Sequence, residues 1–80
     1  MTLKQFEKVN ADVRTEYTVF DENGEYVETI KLNYMDDDVN KTARAILRRD
    51  KYNGYAVKHV TVNTATKFLS VSLEPPKKRK

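Results

Sequence analysis

Residues 14–34 read RTEYTVFDENGEYVETIKLNY and carry the clearest local signal in the chain. Asn23-Gly24 tolerates the positive φ angles of a tight reversal and lies between two runs rich in β-branched and aromatic residues. A β-hairpin is the expected product. Its first strand, about Arg14 to Phe20, alternates Thr15, Tyr17 and Val19 against Arg14, Glu16 and Thr18. The second, about Tyr26 to Tyr34, sets Ile30, Leu32 and Tyr34 on one face, so each strand is half buried.

Downstream, Asp36-Asp37-Asp38 precedes VNKTARAILRR, residues 39–49. Val39, Ala43, Ile46 and Leu47 fall at helical spacing and are expected to form the buried stripe of an amphipathic helix of about three turns. Carboxylates at its start and Arg48, Arg49 and Lys51 at its end complement the helix dipole, and Asn53-Gly54 is expected to supply a left-handed stop. Beyond it, Val60 and Val62, then Leu69, Val71 and Leu73, repeat at period two around Asn63-Thr64-Ala65-Thr66, which predicts a second hairpin. Pro75-Pro76 cannot continue a sheet ladder and end the last strand. Upstream, Leu3, Phe6 and Val9 suit the inward face of a short helix capped by Thr2 with Gln5, or else an irregular arm. The order ββαββ predicts an α+β fold: antiparallel hairpins with one amphipathic helix packed on the sheet. Residues 1–74 are expected to form the single domain and residues 75–80 a disordered basic tail.

The 80-residue length leaves no material for a second core. Cysteine is absent, which excludes disulfides and thiolate-based metal or redox sites. The first ten residues, MTLKQFEKVN, lack the apolar run of a secretory signal, and no stretch suits a membrane span. A cytoplasmic protein is expected.

Catalytic chemistry finds little support in the residue inventory. His59 is the only histidine, and Ser70 and Ser72 occupy alternating strand positions without a nucleophile elbow. Asp36, Asp37 and Asp38 fit a helix start better than a cation loop. Gly24 and Gly54 both belong to turns, so no glycine-rich phosphate cradle exists. A non-enzymatic protein without metal or cofactor is expected.

Charge is more informative. The formal net charge of +3 conceals −7 over residues 12–38 and +6 over residues 39–67. The basic part holds Lys41, Arg44, Arg48, Arg49, Lys51, Tyr52, Tyr55 and Lys58. Lys41, Arg44 and Arg48 project from one side of a helix, a stripe suited to phosphates, with Tyr52 and Tyr55 as stacking platforms for unpaired bases. An ordinary solvated helix face is the competing explanation. Lys77, Lys78, Arg79 and Lys80 form a run that adds sequence-independent attraction to phosphate. With its leading prolines the run also resembles a monopartite nuclear localisation signal, which implies a nuclear address only in a eukaryotic setting. The acidic part offers Glu16, Asp21, Glu22, Glu25 and Glu28 as a negative hairpin surface. That surface protects an edge from aggregation, imitates nucleic-acid phosphates, or pairs with the basic half within or between chains.

The string EYTVFDENGEYVETIKLNY, residues 16–34, followed by a short basic helix in a small cysteine-free chain, resembles the accessory proteins of phages and mobile elements of low-GC bacteria. Some of these are anti-defence inhibitors, anti-CRISPR and anti-restriction proteins among them. The resemblance implies a non-catalytic protein that binds a nucleic acid or a nucleic-acid enzyme. Three functions follow as expectations. The first is a module that binds nucleic acid or a nucleoprotein through the basic helix, loop and tail. The second is an inhibitor whose acidic hairpin mimics DNA. The third is an assembly subunit, possible as a homodimer, that oligomerises through a sheet edge.

Overall fold

A computed structural model describes residues 1–10 and 13–76. The expected tail residues Lys77, Lys78, Arg79 and Lys80 lie outside the described residues. The elements are α1 (Leu3–Val9), β1 (Thr15–Phe20), β2 (Tyr26–Leu32), α2 (Val39–Asp50), β3 (Ala56–Asn63) and β4 (Phe68–Glu74). The fold is α+β, with ββαββ following a short N-terminal helix.

The two strands read over residues 14–20 and 26–34 both form, although the second ends at Leu32, short of Tyr34, and a bulge shifts the register near Phe20. Asp21 accepts from the Asn23 and Glu25 backbone N–H groups at 2.8 and 2.9 Å, and Gly24 adopts φ +78°. Only a residue without Cβ takes that angle freely, and the turn therefore closes at Gly24. Strand order is β2-β1-β4-β3. Both hairpins are antiparallel, whereas the two central strands, β1 and β4, run parallel. The crossover through α2 permits that pairing, since parallel neighbours need a long connection.

Register explains the core. Tyr17 lies opposite Ile30 on one side and Val71 on the other, and Val19 lies opposite Leu73. These residues share the face covered by both helices. Leu3 and Phe6 of α1 complete the cluster, with the Phe6 and Tyr17 rings edge to face at 6.5 Å. Thr2 and Gln5 make the reciprocal N-terminal cap, while Val9 is exposed instead of inward. On the opposite face Phe68 is buried beneath Arg14 and Lys31, whose charged groups stand 5.4 and 4.9 Å from its ring centre.

Two local expectations need correction. The side of α2 that faces the sheet carries Thr42, Ala45, Ile46 and Arg49, while Val39 and Leu47 are 75% and 68% exposed and Ala43 is exposed too. Polar contacts accompany this rotation. The Thr42 hydroxyl donates to the Asn33 carbonyl at 3.4 Å, and Arg49 meets Tyr34 and Glu7, both at 3.2 Å. Small Ala45 permits close approach to the sheet. Gly54, in turn, does not supply a left-handed stop: α2 ends at Lys51 in the right-handed region. The chain then tightens through bonds from the Tyr52 and Asn53 N–H groups to the Arg49 and Asp50 carbonyls.

Candidate functional site: the charged surfaces of α2 and the first hairpin

Helix geometry first sorts the cations of the basic region. Lys41, Arg44, Arg48 and Lys51 follow one another at spacings of three, four and three, so they occupy one flank. All four are exposed. From Lys41 to Lys51 the flank spans about 15 Å at helical rise. Arg44 makes no ion pair among the described residues, Lys41 holds Asp36 loosely at 3.6 Å, and the Lys51 ammonium lies 5.9 Å from the Tyr52 ring centre.

Arg49 stands apart from that flank. Its guanidinium is 11% exposed, with Nε 3.2 Å from Glu7 and Nη1 donating to the Tyr34 hydroxyl at 3.2 Å. Burial opposes its charge, yet the Tyr34 hydrogen bond and the Glu7 carboxylate hold its pKa above the ordinary value. Glu7 is raised from the usual carboxylate value by burial, partly offset by Arg49. This pair joins α1 to α2.

Tyr52 and Tyr55 are half-buried against the core. Their rings meet edge to face at 4.9 Å and pack against the core cluster. The Tyr55 carbonyl accepts from the Leu3 N–H at 2.8 Å, which satisfies one of the donors left open at the start of α1. The Tyr52 hydroxyl donates to Glu28, whose other oxygen takes Arg48 at 2.5 Å. Both bonds favour the carboxylate, and the Glu28 pKa is lowered by Tyr52 first and Arg48 second. The Tyr52 phenol is conversely pushed up to about 12, mainly by Glu28.

Of the acidic set, Glu28 therefore turns inward. It lies opposite Val19, two residues from Ile30 and four from Leu32, on the face covered by the helices. Strand alternation alone carries this signal, since Glu28 has the same parity as those two core residues. Asp21 is engaged by the turn backbone. Glu16 is half buried on the opposite face, opposite Lys31 and Ser70, which leaves Glu22 and Glu25 exposed at the turn. Asp38 caps α2 through its Oδ1, accepting from Asn40 and Lys41.

A cleft of about 210 Å³ at the start of α2 is lined by Lys31, Asn33, Asp36, Lys41, Thr42 and Phe68. His59 and Ser72 are register partners, with no side-chain hydrogen bond between them among the described residues. No cluster of three or more metal-ligating side chains occurs among the described residues. No described helix is long and apolar enough to cross a membrane. Comparison with protein-family models, curated proteins and solved structures returns no match.

Proposed function

We propose that this chain is a non-catalytic module that binds nucleic acid, or a nucleoprotein through its nucleic acid, by the exposed flank of α2. One observation carries the reading: Lys41, Arg44, Arg48 and Lys51 line a flank of about 15 Å on α2, where Arg44 is unpaired among the described residues, Lys41 is held loosely by Asp36, and Arg48 must exchange Glu28 for phosphate. Along one strand of a duplex that length runs beside about four phosphates. Neutralising them releases counterions, a sequence-independent source of affinity. The sequence Lys77, Lys78, Arg79 and Lys80 adds four further cations. Arg49, Tyr52 and Tyr55 take no part in this reading, because their polar groups or rings are engaged inside the fold.

The DNA-mimicking alternative has less support. Glu28 is held by Arg48 and Tyr52, and Asp21 by its own turn, so Glu22 and Glu25 are the tip carboxylates left for a partner.

Fluorescence anisotropy with labelled single- and double-stranded oligonucleotides at low salt tests the reading. Binding that falls at least about tenfold in Lys41→Glu with Arg44→Glu supports it. Absence of binding, or binding indifferent to those reversals, refutes it.

A further inference from the structure

β3 is the longest strand of the sheet at eight residues and the least covered: every residue from Lys58 to Asn63 is exposed. It is also an edge strand, so one side of its backbone has no strand partner within the sheet. Met1 and Thr2 occupy the start of that free side, through the Val57 N–H to the Met1 carbonyl at 2.9 Å and a bridge from Thr2 to Ala56. The turn after Asn63 ends it. A window of about 20 Å remains open, with a row of backbone donors and acceptors along it.

We propose that this window pairs with the same window of a second copy, antiparallel about a two-fold axis at Thr61, so that two four-stranded sheets become one of eight. Parity selects the register. Val60 and Val62 align with Val71 and Leu69, which places both valines on the helix-covered face. They are nevertheless 45% and 66% exposed, because the helices do not reach that far. Pairing about Thr61 sets Val60 of each copy against Val62 of the other, His59 against Asn63, and Thr61 against itself. Cross-strand β-branched and Thr–Thr pairs are favourable, and the four valines gain cover on one face. Pairing about Val60 instead sets Val62 against Lys58, a poorer match.

Charge does not oppose the contact. Lys58 is the one Lys, Arg, Asp or Glu of the window, and it holds Glu74 at 3.6 Å. In the Thr61 register it faces the turn of the second copy, away from the other Lys58. The second edge strand, β2, is less suitable, since Glu28 and Lys31 interrupt it; a register shift occurs in both edge pairs, near Phe20 in the first hairpin and at Lys58 in β3, where it leaves Val60 to Asn63 in regular register. None of the α2 cations lies in the β3 window, so this proposal and the nucleic-acid reading fail separately.

The test uses the full chain, whose lack of cysteine makes single thiols informative. Sedimentation over a concentration series is expected to show a monomer–dimer equilibrium. Val60→Lys with Val62→Lys should weaken it at least about tenfold while circular dichroism stays unchanged. Thr61→Cys should cross-link to a covalent dimer under mild oxidation, and Thr66→Cys, in the adjacent turn, should not. A monomer at all concentrations overturns the proposal. So does a dimer that survives the β3 substitutions and is lost instead with Val39→Gln and Leu47→Gln on α2. If the lysine variant loses its circular dichroism signal, the two cysteine variants decide: cross-linking no faster at position 61 than at 66 overturns the pairing.

Discussion

The Arg48 guanidinium lies 2.5 Å from the Glu28 carboxylate and joins the acidic hairpin to the basic helix within one chain. The −7 and +6 segments are thus not two independent surfaces, because their best-formed contact is internal. Replacing Glu28 with Gln keeps the shape and removes the charge. Stability should fall by about 1–2 kcal/mol, since charge-assisted hydrogen bonds from Arg48 and Tyr52 are lost. Oligonucleotide affinity should rise, because Arg48 is released to the cation flank. Chemical denaturation and anisotropy titration measure the two effects, and an affinity that falls contradicts the account.

The same cluster sets the pH response. Tyr52 has a folded-state pKa near 12 against an ordinary value of 10.0, so its contribution to stability is complete below pH 10 and is lost as pH rises toward 12. Glu28 has a lowered pKa, so its contribution is present above about 4.5 and is lost as pH falls through the folded value. Glu7 acts in the opposite sense, because burial raises its pKa and protonation relieves that cost. Thermal unfolding should therefore show an alkaline loss between pH 10 and 12 that is smaller in Tyr52→Phe. An identical alkaline limb in that variant contradicts the hydrogen bond to Glu28.

Arg44 and Arg49 share a helix and a charge, and they should separate cleanly on mutation. Arg49→Ala removes one partner of a largely buried pair and leaves Glu7 without it, at a cost of about 3 kcal/mol. Arg44→Ala should change stability by no more than about 0.5 kcal/mol and weaken oligonucleotide binding. Urea denaturation beside binding titrations reads both. Equal effects of the two substitutions on stability contradict the placement.

What the sequence discloses depends on whether the cause is local. Alternation around Asn23-Gly24, the Thr2–Gln5 cap and the period-two run Leu69, Val71, Leu73 involve near neighbours, and all three form as read. The parallel pairing of β1 with β4 is closed by contacts more than fifty residues apart, as between Thr15 and Leu69. The rotation of α2 has the same character. Val39, Ala43 and Leu47 make the more apolar stripe, yet Arg49 turns inward toward Glu7, forty-two positions earlier. The site was legible as a region of cations. Which cations remain free depended on partners such as Glu28, whose inward parity could be read beside Ile30 and Leu32.

The two glycines offer a further contrast. Gly24 has φ +78°, and Gly24→Ala should cost about 1 kcal/mol, although no described atom beyond its two chain neighbours lies within 4 Å of the added methyl. Gly54 has no positive φ and equal space around it, so Gly54→Ala should be neutral or stabilise by up to about 1 kcal/mol. Melting curves of both variants decide, and destabilisation at position 54 as large as at 24 contradicts the right-handed end of α2.

The most direct measurement is the salt dependence of oligonucleotide binding for the native chain and for Lys41→Ala with Arg44→Ala. Each phosphate contact contributes about 0.7 to 0.9 to the slope of log K against log salt. The account predicts a slope that becomes shallower by about 1.5 in the double variant, with affinity reduced across unrelated sequences. A slope unchanged by the two substitutions, or binding that does not respond to salt, contradicts it.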